Sequence, residues 1–319
     1  MVRWLIVITL VLVIVFRADW KNGSQKPRLT NLKTPNWFDI WRRDLKTHIY
    51  YWLPGDTGAL ASGVLLGGST DLERDTYEAF KKIGLLHIVA ASGYNLILVA
   101  AAISQVLEGR LGKRIAIGGT LIGIWIYVGL AGAGASIIRA GIMASLIQIG
   151  LLLGRPTDSR WLLIVAALAM LLFNPNYLFD IGFQLSFAAT AGILWLRPQQ
   201  DFGATLAAQI ATTPILLYHF GQISLISPLV NMALLWLVPI IMVIVALGLI
   251  FGPLNYLTWP LLKIILETVK WSASLPTSGL WVLLYYLVAF LLWWVYARIS
   301  SHWRSTHPDH ATNSPMAVA

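Results

Sequence analysis

The stretch Ile115–Leu153, IAIGGTLIGIWIYVGLAGAGASIIRAGIMASLIQIGLLL, contains one charged side chain, Arg139. Two apolar runs, Ile115 to Ala133 and Ile137 to Leu153, flank a turn rich in Gly and Ala. Each approaches the roughly 20 apolar residues that a helix needs to cross a bilayer core. Two such runs joined by so short a turn predict a helical hairpin in a membrane. The pattern extends outward in both directions. Apolar runs occur at Trp4 to Phe16, Leu85 to Ser104, Trp161 to Phe173 and Gln184 to Leu196, then at Gly203 to Leu217, Ser224 to Phe251, Tyr256 to Leu266 and Leu280 to Tyr296. Residues 59 to 69 are apolar but too short to cross alone, and the charged stretch Asp71 to Lys82 has helical potential, so a re-entrant or surface helix is expected there. The fold class expected is all-α: a polytopic membrane protein of about ten transmembrane or re-entrant helices.

Composition agrees with that reading. Of 319 residues, 57% are hydrophobic and 12% charged, against about 45–50% and about 25% for soluble domains. The 15 Trp suit a chain with many bilayer interfaces. With no Cys, disulfides, thiolate metal sites and thiol nucleophiles are excluded. The formal charge of +9 fits anionic lipid and nucleic acid equally well.

Four regions are expected: an N-terminal transmembrane anchor over 1–16, a basic aromatic extracytoplasmic segment over 17–58, a transmembrane domain over 59–297 and a cytoplasmic tail over 298–319. The first run is short enough to be a signal-peptide core, but no small-residue cleavage site precedes Asp19. In 17–58, Lys21, Arg28, Arg42, Arg43 and Lys46 alternate with Trp20, Trp37, Trp41 and Trp52, which predicts an interfacial or loop segment. With both termini cytoplasmic, Arg110, Lys113, Arg114, Arg155, Arg160 and Arg197 fall in inner loops and the short outer connections carry no Lys or Arg. The basic segment 17–58 counts against this orientation, though long loops obey the rule poorly.

Polar groups inside membrane helices are costly, so each prompts a functional reading. In Gly84–Asn95, GLLHIVAASGYN, the residues His87, Ala91 and Asn95 fall one helical turn apart. That predicts a small, polar helix face including Ser92 and Gly93, which serves either tight helix packing or the lining of a path. Arg139 sits just inside a helix, able to bind phosphate bidentately or to pair with an acid for structure. Asp180 is its expected partner. Gln184 and Ser186 follow on the next helix. Gln209, Thr212, Thr213 and Pro214 are expected to interrupt another, and Pro239 marks a further break. Tyr218 to Gln222, which includes His219, reads as an outer connection leading to Asn231. Together His87, Arg139, Asp180, Gln184, His219 and Asn231 predict a polar, water-accessible vestibule near one membrane face.

The segment GLLHIVAASGYNLILV (Gly84–Val99) resembles the signature of the competence domain of the ComEC family of DNA-uptake proteins. Three more blocks resemble later parts of that domain in the same order: IIRAGIMA (Ile137–Ala144), FDIGFQLSFAATAGIL (Phe179–Leu194) and TPILLYHFGQISLISPLVN (Thr213–Asn231). The resemblance covers roughly residues 58 to 250. It departs from the family at Asn95, where His is common. Many members also carry a β-barrel domain and a metallo-β-lactamase-like nuclease domain, for which this chain has no room. The tail residues His302, His307, Asp309 and His310 lack the ordered nuclease cluster, so neither a metal nor a cofactor is expected, nor an enzyme activity.

The resemblance implies a multi-pass channel of the inner membrane that passes single-stranded DNA into the cytoplasm during natural transformation. It also implies membrane lipids as surroundings and, as partners, a DNA receptor, an uptake pilus, a separate nuclease, a cytoplasmic helicase and single-strand-binding proteins, with a homo-oligomer among the allowed assemblies. Two rivals remain. Broken helices suit a small-solute or lipid transporter. Ala91-Ser92-Gly93 with His219 as base suits an intramembrane serine protease.

Overall fold

The computed structural model describes residues 36–68, 71–196, 201–220, 224 and 226–275. The expected spans Trp4–Phe16 and Leu280–Tyr296, the N-terminal anchor and the tail lie outside them. Among the described residues the regular structure is entirely helical.

The polar segment before residue 58 ends in a helix, α1 (Asn36–Trp52). It buries Ile49 and leaves Trp37, Trp41 and Tyr51 exposed. Arg42 Nε donates to the Leu130 carbonyl at 2.8 Å, which fastens α1 to the end of a later helix. Next comes α2 (Asp56–Leu66), in which every residue after Asp56 is buried. A helix of this length rises only about half the thickness of a bilayer core. It survives inside because its neighbours are protein: α2 packs on α1 and on three later helices, α4, α12 and α13. Its own hydroxyl, Ser62, donates back to the Ala59 carbonyl at 3.0 Å.

The charged stretch forms α3 (Arg74–Ile83), which turns Thr76, Phe80 and Ile83 inward and packs on α13. It stops at Gly84, whose φ of 80° is the left-handed conformation that glycine adopts without strain. The polar face expected over Gly84–Asn95 does not form on one continuous helix. A single turn, α4 (Leu86–Val89), ends at Ala90, which is extended, and a new helix, α5 (Gly93–Leu111), begins after it. The cause is local: the Ser92 side chain accepts the Asn95 N–H, and this N-cap starts the second helix.

The helices α6 (Lys113–Leu130) and α7 (Ala135–Leu152) form the hairpin expected from Ile115–Leu153, and α5 packs on both. Then follow α8 (Ser159–Phe173) and α9 (Ile181–Leu196), both apolar but short. Helix α10 (Asp201–Phe220) runs through Pro214 without the expected interruption. Thr213 Oγ1 donates to the Gln209 carbonyl at 2.7 Å and Thr212 Oγ1 to the Ala208 carbonyl at 2.9 Å. The same helix carries His219, so that residue lies in a last turn and not in a loop. Gly192 lets α9 approach α10 closely, since a Cβ there would come 2.5 Å from the Ala207 carbonyl oxygen.

The long run beginning at Ser224 divides into α11 (Ser227–Leu234) and α12 (Leu237–Gly248), bent by 44°. The bend falls at Leu235 and Trp236, just ahead of Pro239, because a proline ring clashes with the carbonyl four residues earlier. Helix α13 (Asn255–Ser274) closes the described chain against α3, α2 and α12. Among the described residues three stretches are long and apolar enough to cross a membrane, Leu86–Leu111, Lys113–Leu130 and Ala135–Leu152, or four with the bent pair.

Candidate functional site

Several of the hydrophilic side chains meet in pairs contributed by different helices. On α4, His87 Nδ1 lies 3.2 Å from the Gly84 carbonyl, and Nε2 lies 3.1 Å from the Asn231 side chain on α11. A neutral imidazole has one N–H, and a carbonyl only accepts. Asn231 presents Oδ1 to Nε2, so both partner atoms are acceptors and the single N–H donates to one of them at a time. The His87 side chain is exposed.

A second pair joins α9 and α10. His219 Nε2–H donates to Gln184 Oε1 at 2.9 Å, and Gln184 Nε2 donates to the Leu178 carbonyl at 2.6 Å. Gln184 is thus held at both ends of its amide. Further along α9, Ser186 and Ser136 of α7 share a hydroxyl hydrogen bond of 3.1 Å. Arg139, one turn beyond Ser136, donates to Thr190 Oγ1, one turn beyond Ser186. Ser136 and Thr190 carry no signature of their own. Their i, i+3 and i, i+4 spacing from Arg139 and Ser186 is the signal that places them on the same facing surfaces.

The expected Arg139–Asp180 ion pair does not form. Asp180 Oδ1 instead accepts the Phe183 N–H at 2.7 Å, capping the start of α9, while Arg139 reaches the middle of that helix. A short carboxylate at a helix start is held by the free N–H groups there, which keeps it from the guanidinium.

The residues at the start of α5 do other work. Asn95 is buried, and its Nδ2 donates to the Val64 carbonyl of α2 at 2.8 Å, while Ser92 Oγ donates to Asn95 Oδ1 at 3.0 Å. Tyr127 on α6 donates to the adjoining Leu65 carbonyl at 2.9 Å. These bonds satisfy the carbonyl end of the short helix α2. Gly93 stands beside the Arg139 guanidinium. Ser92 is held by Asn95 and His219 by Gln184, so the Ser92–His219 couple of a serine protease is not assembled. No three His, Asp or Glu side chains come together as metal ligands among the described residues.

Comparison with known proteins agrees with the ordered blocks. The family model described as "Competence protein" matches residues 64–305. The chain is 30% identical over 219 residues to "ComE operon protein 3" of Bacillus subtilis (strain 168), covering 64% of this chain and 28% of that protein. It is 26% identical over 268 residues to "Competence protein ComA" of Neisseria gonorrhoeae, covering 74% of this chain and 37% of that one. An uncharacterized protein of Aquifex aeolicus (strain VF5) is 27% identical over 209 residues, covering 63% of this chain and 48% of that one. The chain therefore spans less than half the length of these relatives. No solved structure matches. The chain belongs to the competence protein family.

Proposed function

We propose that this member of the competence family forms the membrane conduit through which single-stranded DNA enters the cytoplasm during natural transformation. The observation that carries the reading is the set of polar contacts joining different helices, His87 to Asn231, His219 to Gln184 and Arg139 to Thr190. A polyanion crossing a low-dielectric layer needs a hydrated path with donors facing its phosphates. Polar pairs from α4, α7, α9, α10 and α11 supply neutral donors, and Arg139 supplies a cation. Neutral amide and hydroxyl contacts bind weakly enough for a strand to move on.

A DNA receptor and uptake pilus would deliver the strand, a separate nuclease would degrade its complement, and a helicase and single-strand-binding proteins would receive it. These partners are implied by the family resemblance. Solute or lipid transport is the second reading, favoured by the 44° break between α11 and α12, a feature that transporters use at binding sites. The test is uptake of labelled DNA by cells lacking the gene and complemented with this chain. Restored entry of label that falls on replacement of Asn231 by Leu supports the conduit. Normal entry without the gene overturns it.

A further inference from the structure

Among the described residues, Arg139 is a cation in the bundle with no acid beside it. Its Nη1 donates to Thr190 Oγ1 and lies 3.9 Å from Met143 Sδ, and its Cζ stands 5.9 Å from the Phe187 ring centroid. Nε is buried with no acceptor. Nη2 points toward Gly93, where even a methyl group would come within 3.2 Å of it. None of these neighbours is anionic, and Asp180 is engaged at the start of α9. Arg139 lies in the second turn of α7, and a cation inside a membrane bundle is costly unless a partner offsets it.

The surroundings provide donors. The Ser136 and Ser186 hydroxyls hold two protons between them and share one hydrogen bond. Thr190 Oγ1 directs its own proton to the Ser186 carbonyl at 2.9 Å, leaving its lone pairs to Arg139. Arg139 and Ser136 lie one turn apart on α7, so the guanidinium and the hydroxyl share one face of that helix. That donor set, with no carboxylate to compete, matches the oxygens of a phosphate.

We propose that Arg139, with the Ser136–Ser186 hydroxyl pair, is a subsite for one phosphodiester group. As a nucleic-acid subsite it rests on the conduit reading above. The same chemistry is offered by a DNA backbone and by a phospholipid headgroup, which the experiment separates.

The full chain is reconstituted in nanodiscs and titrated with a fluorescent oligo-dT and with the same oligomer carrying neutral methylphosphonate linkages. Retained phospholipid is measured on the same samples. Arg139→Gln is expected to weaken oligo-dT binding roughly tenfold or more, Arg139→Lys less, and to leave the neutral oligomer unaffected. The Arg139→Gln protein is also expected to melt no lower than the parent, because it loses an uncompensated charge. Lost phospholipid with unchanged oligo-dT binding would assign the phosphate to lipid and overturn the nucleic-acid subsite. Oligo-dT binding and lipid retention both indifferent to Arg139 would overturn the subsite and leave the conduit standing. No oligo-dT binding by the parent protein would sink the conduit itself.

Discussion

The His87 ring and the Asn231 side chain, 144 positions apart in the chain, meet at 3.1 Å and so couple the one-turn helix α4 to the amino-terminal half of the bent pair. Neither α4 nor α11 is long enough to hold its place by local hydrogen bonds alone. The contact is therefore expected to contribute measurably to their docking. In a double-mutant cycle of His87→Ala and Asn231→Ala, followed by tryptophan fluorescence during thermal unfolding in detergent, the coupling should be about 0.5–1.5 kcal/mol. His87 is exposed, so a value toward the lower end is expected. Strict additivity would show that the two groups do not interact.

Asn95 is buried and donates to the Val64 carbonyl. Replacing it by Leu leaves that carbonyl and the Ser92 hydroxyl without their partner, at a cost of about 1–3 kcal/mol. The unfolding midpoint should fall accordingly. Asn95→Ala, which makes room for water, should fall less. Equal stability of the parent and Asn95→Leu would remove the role assigned to this amide.

Asp56 joins α2, α3 and α13. Burial alone would raise its carboxyl pKa, but the Thr76 hydroxyl, the Glu73 N–H at 3.0 Å and Lys270 Nζ at 3.5 Å together hold it below the ordinary carboxylate value. A carboxyl lowered in the folded state stabilises the fold fully above its unfolded pKa, about 3.9. That stabilisation is lost as pH falls through the lower folded value. The parent protein should lose stability below about pH 4, and Asp56→Asn should lose less over the same range while starting lower at neutral pH. Unfolding midpoints across an acid titration would measure this, and parallel curves would count against it.

At Gly192 the backbones of α9 and α10 approach so closely that a β-carbon would press on the Ala207 carbonyl. Gly192→Val should cost about 1–3 kcal/mol through overpacking. It should also disturb the Gln184–His219 contact, which depends on the same helix pair. Cross-linking of cysteines introduced on α9 and α10, in a chain with no native Cys, would report the separation.

Much of the architecture was readable from apolar run length, as at Ile115–Leu153, because membrane insertion depends mainly on summed side-chain transfer. Where the reading failed, short-range chemistry overrode periodicity. Ser92 capped a new helix and split the face that His87 and Asn95 were expected to share. Asp180 bonded to the nearest free N–H instead of to Arg139. Pro239 moved its break upstream to Leu235, and Pro214 left its helix unbroken. The four ordered blocks identified the family, but the partners of Gln184, His219 and Asn231 depend on helix neighbours that one sequence does not reveal.

The burial of α2 has a consequence for biosynthesis. Much of its covering comes from α12 and α13, which the ribosome makes well over 150 residues later. Until they arrive, Asp56–Leu66 is too short to insert on its own and too greasy to rest comfortably in water. The segment must wait, at the lipid surface or with a chaperone, for the last helices to enclose it. Chains truncated before Leu237 should therefore be prime substrates for membrane quality-control proteases.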